Sequence, residues 1–376
     1  MTDAPLSPDR IEDVRARAGA FLRAHPTALL ASHDDADGLS SAALLARALG
    51  RAGRAPEIRP EIRPEIRLVG RGQNAWDDRF AAEMAERPPE ALVVADLGVA
   101  GRAPAPGAPT LVIDHHVPTG TPPGAEVVSG YGLEPTPSTS LLAFWAAEGL
   151  LGKEAAEDLL WLAAVGLVGD YGERAPFEEL ARAKKRYTAK RLCEAASLVN
   201  APRRAAKGDA APALALLLKA DDPADLLSGR HAEAAACQAA REEVQAALVE
   251  ARRAPPRFGA AGSPGEGVAI VRVDSPCQVH PLVAQSWVGR LKGRPVFAAN
   301  FGFQPGVVHF SGRVGKGGDL IALLARHRPP GADPARYGNG HRRAAGGALP
   351  PEAWDAFVES LGFGPEMRAS GPPITQ

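Results

Sequence analysis

The sequence predicts an α/β protein: a parallel-sheet N-terminal domain, a helical connector and a smaller α/β C-terminal domain. Three observations predict it. Short apolar and β-branched runs ("TALLAS" 27–32, "ALVVAD" 91–96, "TLVID" 110–114) alternate with stretches of helical spacing. Such alternation argues for parallel strands joined by crossover helices. From about 210 the chain turns Ala-rich, and a Pro- and Gly-containing break at 254–267 precedes a second set of apolar runs. The expected divisions are 1–210, 211–262 and 263–376.

Each element has a local reason. Ser7-Pro8 offers a capping hydroxyl and then Pro at the first helical position, for a helix to about Arg23. "TALLAS" reads as a buried strand, and "GLSSAALLARALGRAG" as a helix closed by Gly. "PEIRPEIRPEIR" (56–67) repeats a four-residue unit three times; Pro at every fourth position forbids a regular helix, so it reads as extended. "ALVVAD" and "TLVID" are the next strands. "STSLLAFWAAEGL" and "AAEDLLWLAAVGLVGD" read as helices, as do the Ala-rich stretches that follow. The second domain opens with "GVAIVRV", continues through "RPVFAANFG" and "VVHFSGRVG", and closes in a helix near Trp354. "FGPEMRASGPPITQ" reads as a frayed tail.

Composition narrows the function classes. Of 376 residues 45% are hydrophobic, enough for a real core, and global disorder is not expected. A net charge of −1 gives no large uniform field toward nucleic acid or an anionic membrane, so any such contact rests on local patches. Cys193, Cys237 and Cys277 form neither a CxxC pair nor a zinc set, which suits a reduced compartment. The polar N-terminus does not read as a signal sequence, and no 18-residue apolar run exists. A soluble cytoplasmic protein is expected.

The chemistry collects at element ends. The first strand runs into "HDDADG", where His33, Asp35 and Asp37 recur at spacing two; on an extended segment they point to one side. "ALVVAD" ends in Asp96, "TLVID" in Asp114 followed by His115 and His116, and an apolar helix in Asp170. In parallel α/β sheets, ligands sit beyond the carboxyl ends of the strands. One such Asp is usually a turn or cap residue. Four such ends converging would place mutually repelling carboxylates together, and divalent cations relieve that repulsion. Carboxylate plus imidazole, without thiolate, suits manganese, magnesium or iron.

"HDDADGLS", "VVADLG", "VIDHH" and "GLVGDYG" resemble, in order, the four motifs of the DHH phosphoesterase superfamily. "FSGRVGKGGDLIALL" and "GNGHRRAAGG" (338–347) resemble its C-terminal DHH-associated domain, with Asn339 in place of a Gly of the GGH-type loop. The resemblance spans nearly the whole chain. It implies that His33, Asp35 and Asp96 hold one metal and that Asp37, Asp96, His115 and Asp170 hold another, with Asp96 bridging. It implies two Mn2+ ions, with Mg2+ as a substitute. His116 would act at the scissile phosphate as an electrostatic partner or proton donor, and Asp114 would orient a histidine. Asp34 reads as a neighbour of the ligands.

The spelling H-D-D-A-D-G-L-S resembles the RecJ-type branch. So does "SLVNAPRRA" (197–205), which offers Asn200 and Arg204 as substrate contacts. Arg313 and the Gly-rich loop of Gly340, His341 and Gly346 are the expected substrate contacts of the second domain. "RAKKRYTAKR" (182–191) holds six basic residues and Tyr187, either a solvated helix face or a strand-tracking groove with a stacking ring. The chain reads as a minimal catalytic core without the additional OB-fold of the bacterial RecJ type.

The expected function is a manganese-dependent exonuclease releasing 5′-mononucleotides from single-stranded DNA or RNA. The alternative is a phosphodiesterase for nano-oligonucleotides or linear or cyclic dinucleotides, which small size and near-zero charge favour. A non-catalytic scaffold is disfavoured because every expected ligand is present. Monomer and homodimer both remain open.

Overall fold

Ser7 accepts a hydrogen bond from the Arg10 amide at 3.4 Å and Pro8 opens the first helix, as the sequence predicts. The structure, a computed structural model, describes residues 4–53, 65–333 and 336–369. The chain divides into two units: Met1–Arg203 with Asp209–Ala239, and Arg204–Gly208 with Ala240–Gln376.

In the first unit β1 (Ala4–Pro5) and α1 (Pro8–Ala24) lead to β2 (Leu29–His33), α2 (Ala36–Ala52), β3 (Ile66–Val69), α3 (Asp78–Glu86), β4 (Leu92–Ala95), β5 (Thr110–Asp114), β6 (Ala125–Ser129) and β7 (Leu133–Glu134). Seven helices follow: α4 (Thr139–Leu151), α5 (Lys153–Ala156), α6 (Leu160–Tyr171), α7 (Glu178–Tyr187), α8 (Ala189–Arg204), α9 (Ala211–Lys219) and α10 (Pro223–Leu226). The next helix, α11 (Ala232–Ala251), begins in the first unit and continues into the second. Most of the Pro-Glu-Ile-Arg repeat lies outside the described residues; Ile66 and Arg67 of its last copy open β3.

Five strands form a parallel sheet in the order β3-β2-β4-β5-β6. The chain steps outward from β2 to β3, then returns to the other side of β2 with β4. Crossover connections therefore diverge between β2 and β4, which opens a crevice at their carboxyl ends. Register aligns that edge: Ser32 lies opposite Ala95, and Ala95 opposite Ile113. The next residues, His33, Asp96 and Asp114, fall in one row.

α4 and α6 are apolar all round, and Phe144, Trp145 and Trp161 are fully buried. The stretch expected as one helix from 155 to 170 is instead α5, a 3₁₀ turn (Glu157–Leu159) and α6. The tighter turn lets Ala156, Leu159 and Leu160 all face inward. α9 lies on α2, where Arg47 donates to the carbonyls of Leu217 (3.2 Å) and Ala220 (2.6 Å).

The second unit contains β8 (Arg257–Phe258), β9 (Ala269–Val273), α12 (His280–Arg290), β10 (Val296–Gln304), β11 (Val307–Arg313), α13 (Leu320–Arg326), β12 (Tyr337–His341), β13 (Ala344–Leu349) and α14 (Pro351–Ser360). Its mixed sheet runs β12-β13-β11-β10-β9-β8, with β9 and β10 parallel. Phe297, Phe310, Trp354 and Phe357 form its core.

Two expectations are corrected here. "GNGHRRAAGG" is not a loop but the hairpin β12–β13: a Cβ on Gly346 would lie 3.1 Å from Ser311 Cα, so glycine lets β13 close on β11. Nor is the C-terminal stretch frayed as far as Ala369. Phe363 and Met367 are buried, and the Trp354 indole N–H donates to the Met367 carbonyl at 2.8 Å. No described helix is long and apolar enough to cross a membrane.

α1 and α4 cross backbone to backbone: a Cβ on Gly19 would lie 2.6 Å from the Gly149 carbonyl carbon, and one on Gly149 would lie 2.7 Å from that of Arg15. Gly149→Ala is expected to destabilise the protein by about 1–3 kcal/mol through overpacking, read by urea unfolding. An unchanged midpoint would show that the crossing can relax.

Candidate metal centre

The segment after β2 does not stay extended, which corrects the reading of the spacing-two pattern. His33 ends the strand and Asp35 caps α2, accepting the Asp37 and Gly38 amide hydrogens at 3.1 Å each. Asp37 already lies in the helix. A Cβ on Gly38 would strike the His33 backbone, so only glycine permits this turn. The three groups still converge, because strand end, cap and first helical turn follow within five residues.

Asp96 follows β4 with φ 63°, the left-handed region that Asp tolerates better than most residues. Its two oxygens diverge: Oδ2 lies 3.4 Å from His33 Nδ1, and Oδ1 lies 3.5 Å from His115 Nε2. His33 Nδ1 also lies 3.1 Å from Asp35 Oδ2, and His115 Nε2 lies 3.2 Å from Asp170 Oδ2. His33, Asp35 and Asp96 offer one set of ligand atoms within 4.8 Å of one another; Asp37, His115 and Asp170 offer a second. The resemblance assigned these same groups to the two metals, with Asp96 between them.

Asp37 is 1% exposed. Its Oδ2 accepts the Thr139 amide hydrogen at 2.8 Å and its Oδ1 that of Ser140 at 3.0 Å, at the N-terminus of α4. The Thr139 hydroxyl donates to Asp96 Oδ1 at 3.1 Å. The sequence offers "STS" as a helix start, but not which carboxylates its donors meet. A Cβ on Gly166 of α6 would strike Ser140 Oγ and Asp37 Oδ1, so the glycine admits α6 and brings Asp170 into the site.

Asp114 is fully buried and accepts the Gly98 amide (2.8 Å) and the His116 amide (2.7 Å). His116 Nδ1 lies 3.2 Å from Asp114 Oδ1 while 39% of the His116 side chain remains exposed. The histidine that Asp114 orients is therefore His116. His115 has a different neighbour that sequence reasoning missed, the Tyr171 hydroxyl 2.8 Å from its Nδ1. Asp34 is taken by Arg203, with Nε 3.0 Å from Oδ1.

Burial, then the Asp96 carboxylate, raises the Asp37 pKa to about 6. Burial, then Asp37, Asp35 and Asp96, holds Asp170 well above the usual range. Burial opposes the charge on His115, but hydrogen bonding to Asp96 and the surrounding carboxylates outweigh it and raise its pKa to about 9. His33 is likewise raised by Asp35 and Asp96 against burial, and Asp35 is held low by His33. Protons thus occupy an electrostatic role that cations would fill. Imidazole and carboxylate oxygen without thiolate fit manganese or magnesium better than structural zinc.

The proposed substrate residues are less concentrated. Asn200 accepts the Ala36 amide hydrogen at 3.0 Å, at the start of α2. Arg204, Arg313, Gly340, His341 and Gly346 belong to the second unit. There the Arg313 guanidinium lies 3.1 Å from Gln285 Oε1 and 3.1 Å from Ser311 Oγ, and His341 is exposed opposite Ala344. Tyr187, expected to be available for stacking, is 7% exposed and sits in the core. In the basic stretch, Arg182 pairs with Glu157 and Arg186 with Asp158.

A doubly wound parallel sheet with carboxylates and imidazoles at its switch point defines a class, and the comparisons name it. Residues 28–167 match the DHH family, N-terminal domain. Over those residues the chain carries a DHH-family N-terminal domain, and its fold is like that of RecJ. RecJ from Thermus thermophilus, solved with Mn2+, is 21% identical with a TM-score of 0.66; the match covers 96% of this chain but 55% of that one. An exonuclease RecJ bound to manganese is 21% identical with a TM-score of 0.60, covering 96% and 94%. CDC45 from Entamoeba histolytica is 10% identical with a TM-score of 0.56, covering 96% and 99%. No curated protein matches the sequence.

The pKa shifts set a pH dependence. Asp37 and Asp170 titrate above their ordinary 3.8 when folded, so the stability they contribute is lost as pH rises from about 4 through their folded values. His33 and His115 are both raised above 6.5, so their contribution is present below that value and is lost as pH rises through their folded values, about 9 for His115. Thermal unfolding in chelator should show this cluster weakening the protein from pH 5 to 9, with added Mn2+ restoring most at the alkaline end. A midpoint rising with pH in chelator would contradict this.

Proposed function

We propose that the protein is a manganese-dependent phosphodiesterase that degrades single-stranded DNA or RNA from an end to 5′-mononucleotides, with Mg2+ as a substitute. The observation that carries the reading is Asp96, whose two oxygens face two separate sets of ligand atoms. His33, Asp35 and Asp96 Oδ2 would hold one cation; Asp37, Asp96 Oδ1, His115 and Asp170 would hold the other. Such a pair, when bound, supplies charge neutralisation at a phosphate and acidifies a water for attack.

The remaining residues act around that reaction. The α4 amides and the Thr139 hydroxyl fix Asp37 and Asp96, so the ligands are oriented before substrate arrives. Asp114 holds the His116 ring and, with Asp96, raises its pKa against the effect of burial. His116 is thereby positioned to give a proton to the leaving oxygen from its exposed side. In the second unit the Arg313 guanidinium, steadied by Ser311 and Gln285, suits a terminal phosphate. Asn200, Arg204, Gly340, His341 and Gly346 are proposed as further substrate contacts. The three cysteines are free thiols, in keeping with a cytoplasmic setting.

The near-neutral charge favours a second reading, a phosphodiesterase for nano-oligonucleotides or dinucleotides. End-labelled DNA and RNA of graded length, incubated with Mn2+, separates the two. Mononucleotides released from long strands are expected; cleavage confined to dimers through pentamers would replace the RecJ-like reading. Asp37→Asn, which keeps an acceptor for one of the two α4 amides, should reduce turnover to background, with folding checked by thermal unfolding. Retained manganese-dependent turnover would remove Asp37 from the ligand set. His341→Ala should raise KM while leaving Mn2+ affinity unchanged; unaltered kinetics would take His341 out of substrate binding.

A further inference from the structure

α6 ends at Tyr171, where Gly172 with φ 78° stops the helix. Its last two residues reach one imidazole from two sides. Asp170 Oδ2 lies 3.2 Å from His115 Nε2, and the Tyr171 hydroxyl lies 2.8 Å from His115 Nδ1. The two rings meet edge-on, with centroids 5.9 Å apart at 88°. Asp114 is directed at His116 through both its backbone amide and its ring, so it is not the carboxylate partner of His115 Nδ1.

We propose that Tyr171 is a positioning residue that selects the Nδ1-protonated tautomer of His115 and so presents the Nε2 lone pair to a divalent cation. This rests on the two-cation reading above. An imidazole ligates through a nitrogen without a proton, and the hydrogen bond made by the other nitrogen decides which one that is. The usual partner is a carboxylate or a backbone carbonyl. A carboxylate here would add negative charge beside Asp37, Asp96 and Asp170. A phenol accepts from Nδ1–H without doing so. Tyr171 is 41% exposed.

Tyr171→Phe keeps the edge-on ring and removes the oxygen, while Tyr171→Ala removes both. Calorimetric titration with MnCl2 of the wild type and both variants reads the effect, with folding checked by thermal unfolding in chelator. We expect Tyr171→Phe to bind at least one ion about ten- to a hundredfold more weakly, with Tyr171→Ala no better. Wild-type affinity in Tyr171→Phe would overturn the role of the hydroxyl, whatever Tyr171→Ala does. Nitrogen-15 spectra of the histidines in the Mg2+-loaded wild type give a second reading: His115 should be protonated at Nδ1, and protonation at Nε2 overturns the inference. A wild type that binds two ions while Tyr171→Phe matches it removes this inference alone. A wild type that binds none removes the two-cation reading, and this one with it.

Discussion

The buried carboxylate of Asp37 sits on the first amides of α4, and much of the first unit is arranged by that contact. An isolated charge of this kind would be expelled or neutralised. Here two N–H groups from a helix terminus meet it, where the helix dipole favours negative charge. Asp37 belongs to α2, so α2 and α4 are locked at one angular setting. The same helix start also holds Asp96 through the Thr139 hydroxyl. Carboxylates from two elements are thereby fixed to one donor group, and Gly166 lets α6 deliver a third beside them.

Such an arrangement has an intrinsic tension. Four aspartates and two histidines share one small volume, and burial first, then the neighbouring carboxylates, raises the pKa values of Asp37 and Asp170. Asp96 adds local backbone strain through its left-handed φ, of the kind that collects at functional sites. The rigid sheet register and the apolar helices α4 and α6 hold the groups together despite both effects. The stabilising core and the destabilising site are therefore built from the same elements, with the apolar faces of α2, α4 and α6 below and their termini above.

The groups proposed as metal ligands were legible in the sequence because a parallel sheet makes them so. Each lies at the end of an apolar run, and parallel strands bring such ends to one edge irrespective of their separation in the chain. Asp35 and Asp37 were found for a partly mistaken reason, since a helix cap and not an extended strand gathers them. Thr139, Ser140 and Tyr171 were missed because their roles depend on partners far away in sequence, and nothing local marks Tyr171 as more than a helix end. The hairpin Tyr337–Leu349 was hidden by its glycines, which read as a loop until β11 is present to close against. Tyr187 misled in the opposite sense: a ring among basic residues looks solvent-facing, but its position on α7 turns it inward.

The path of the chain between the units has a practical meaning. It leaves the first unit at Arg203, spends Arg204–Gly208 in the second and returns for Asp209–Ala239. In that returning stretch Ala213, Leu216 and Leu217 are buried against the first core, and two of its carbonyls receive Arg47. No single scission therefore separates the two units cleanly. A fragment ended near residue 210, where the sequence alone places the border, would strip a greasy cover from α2, the helix that carries Asp37, and would invite aggregation. Excision of the unit that carries the candidate ligands as an autonomous fragment requires keeping the chain through Ala239.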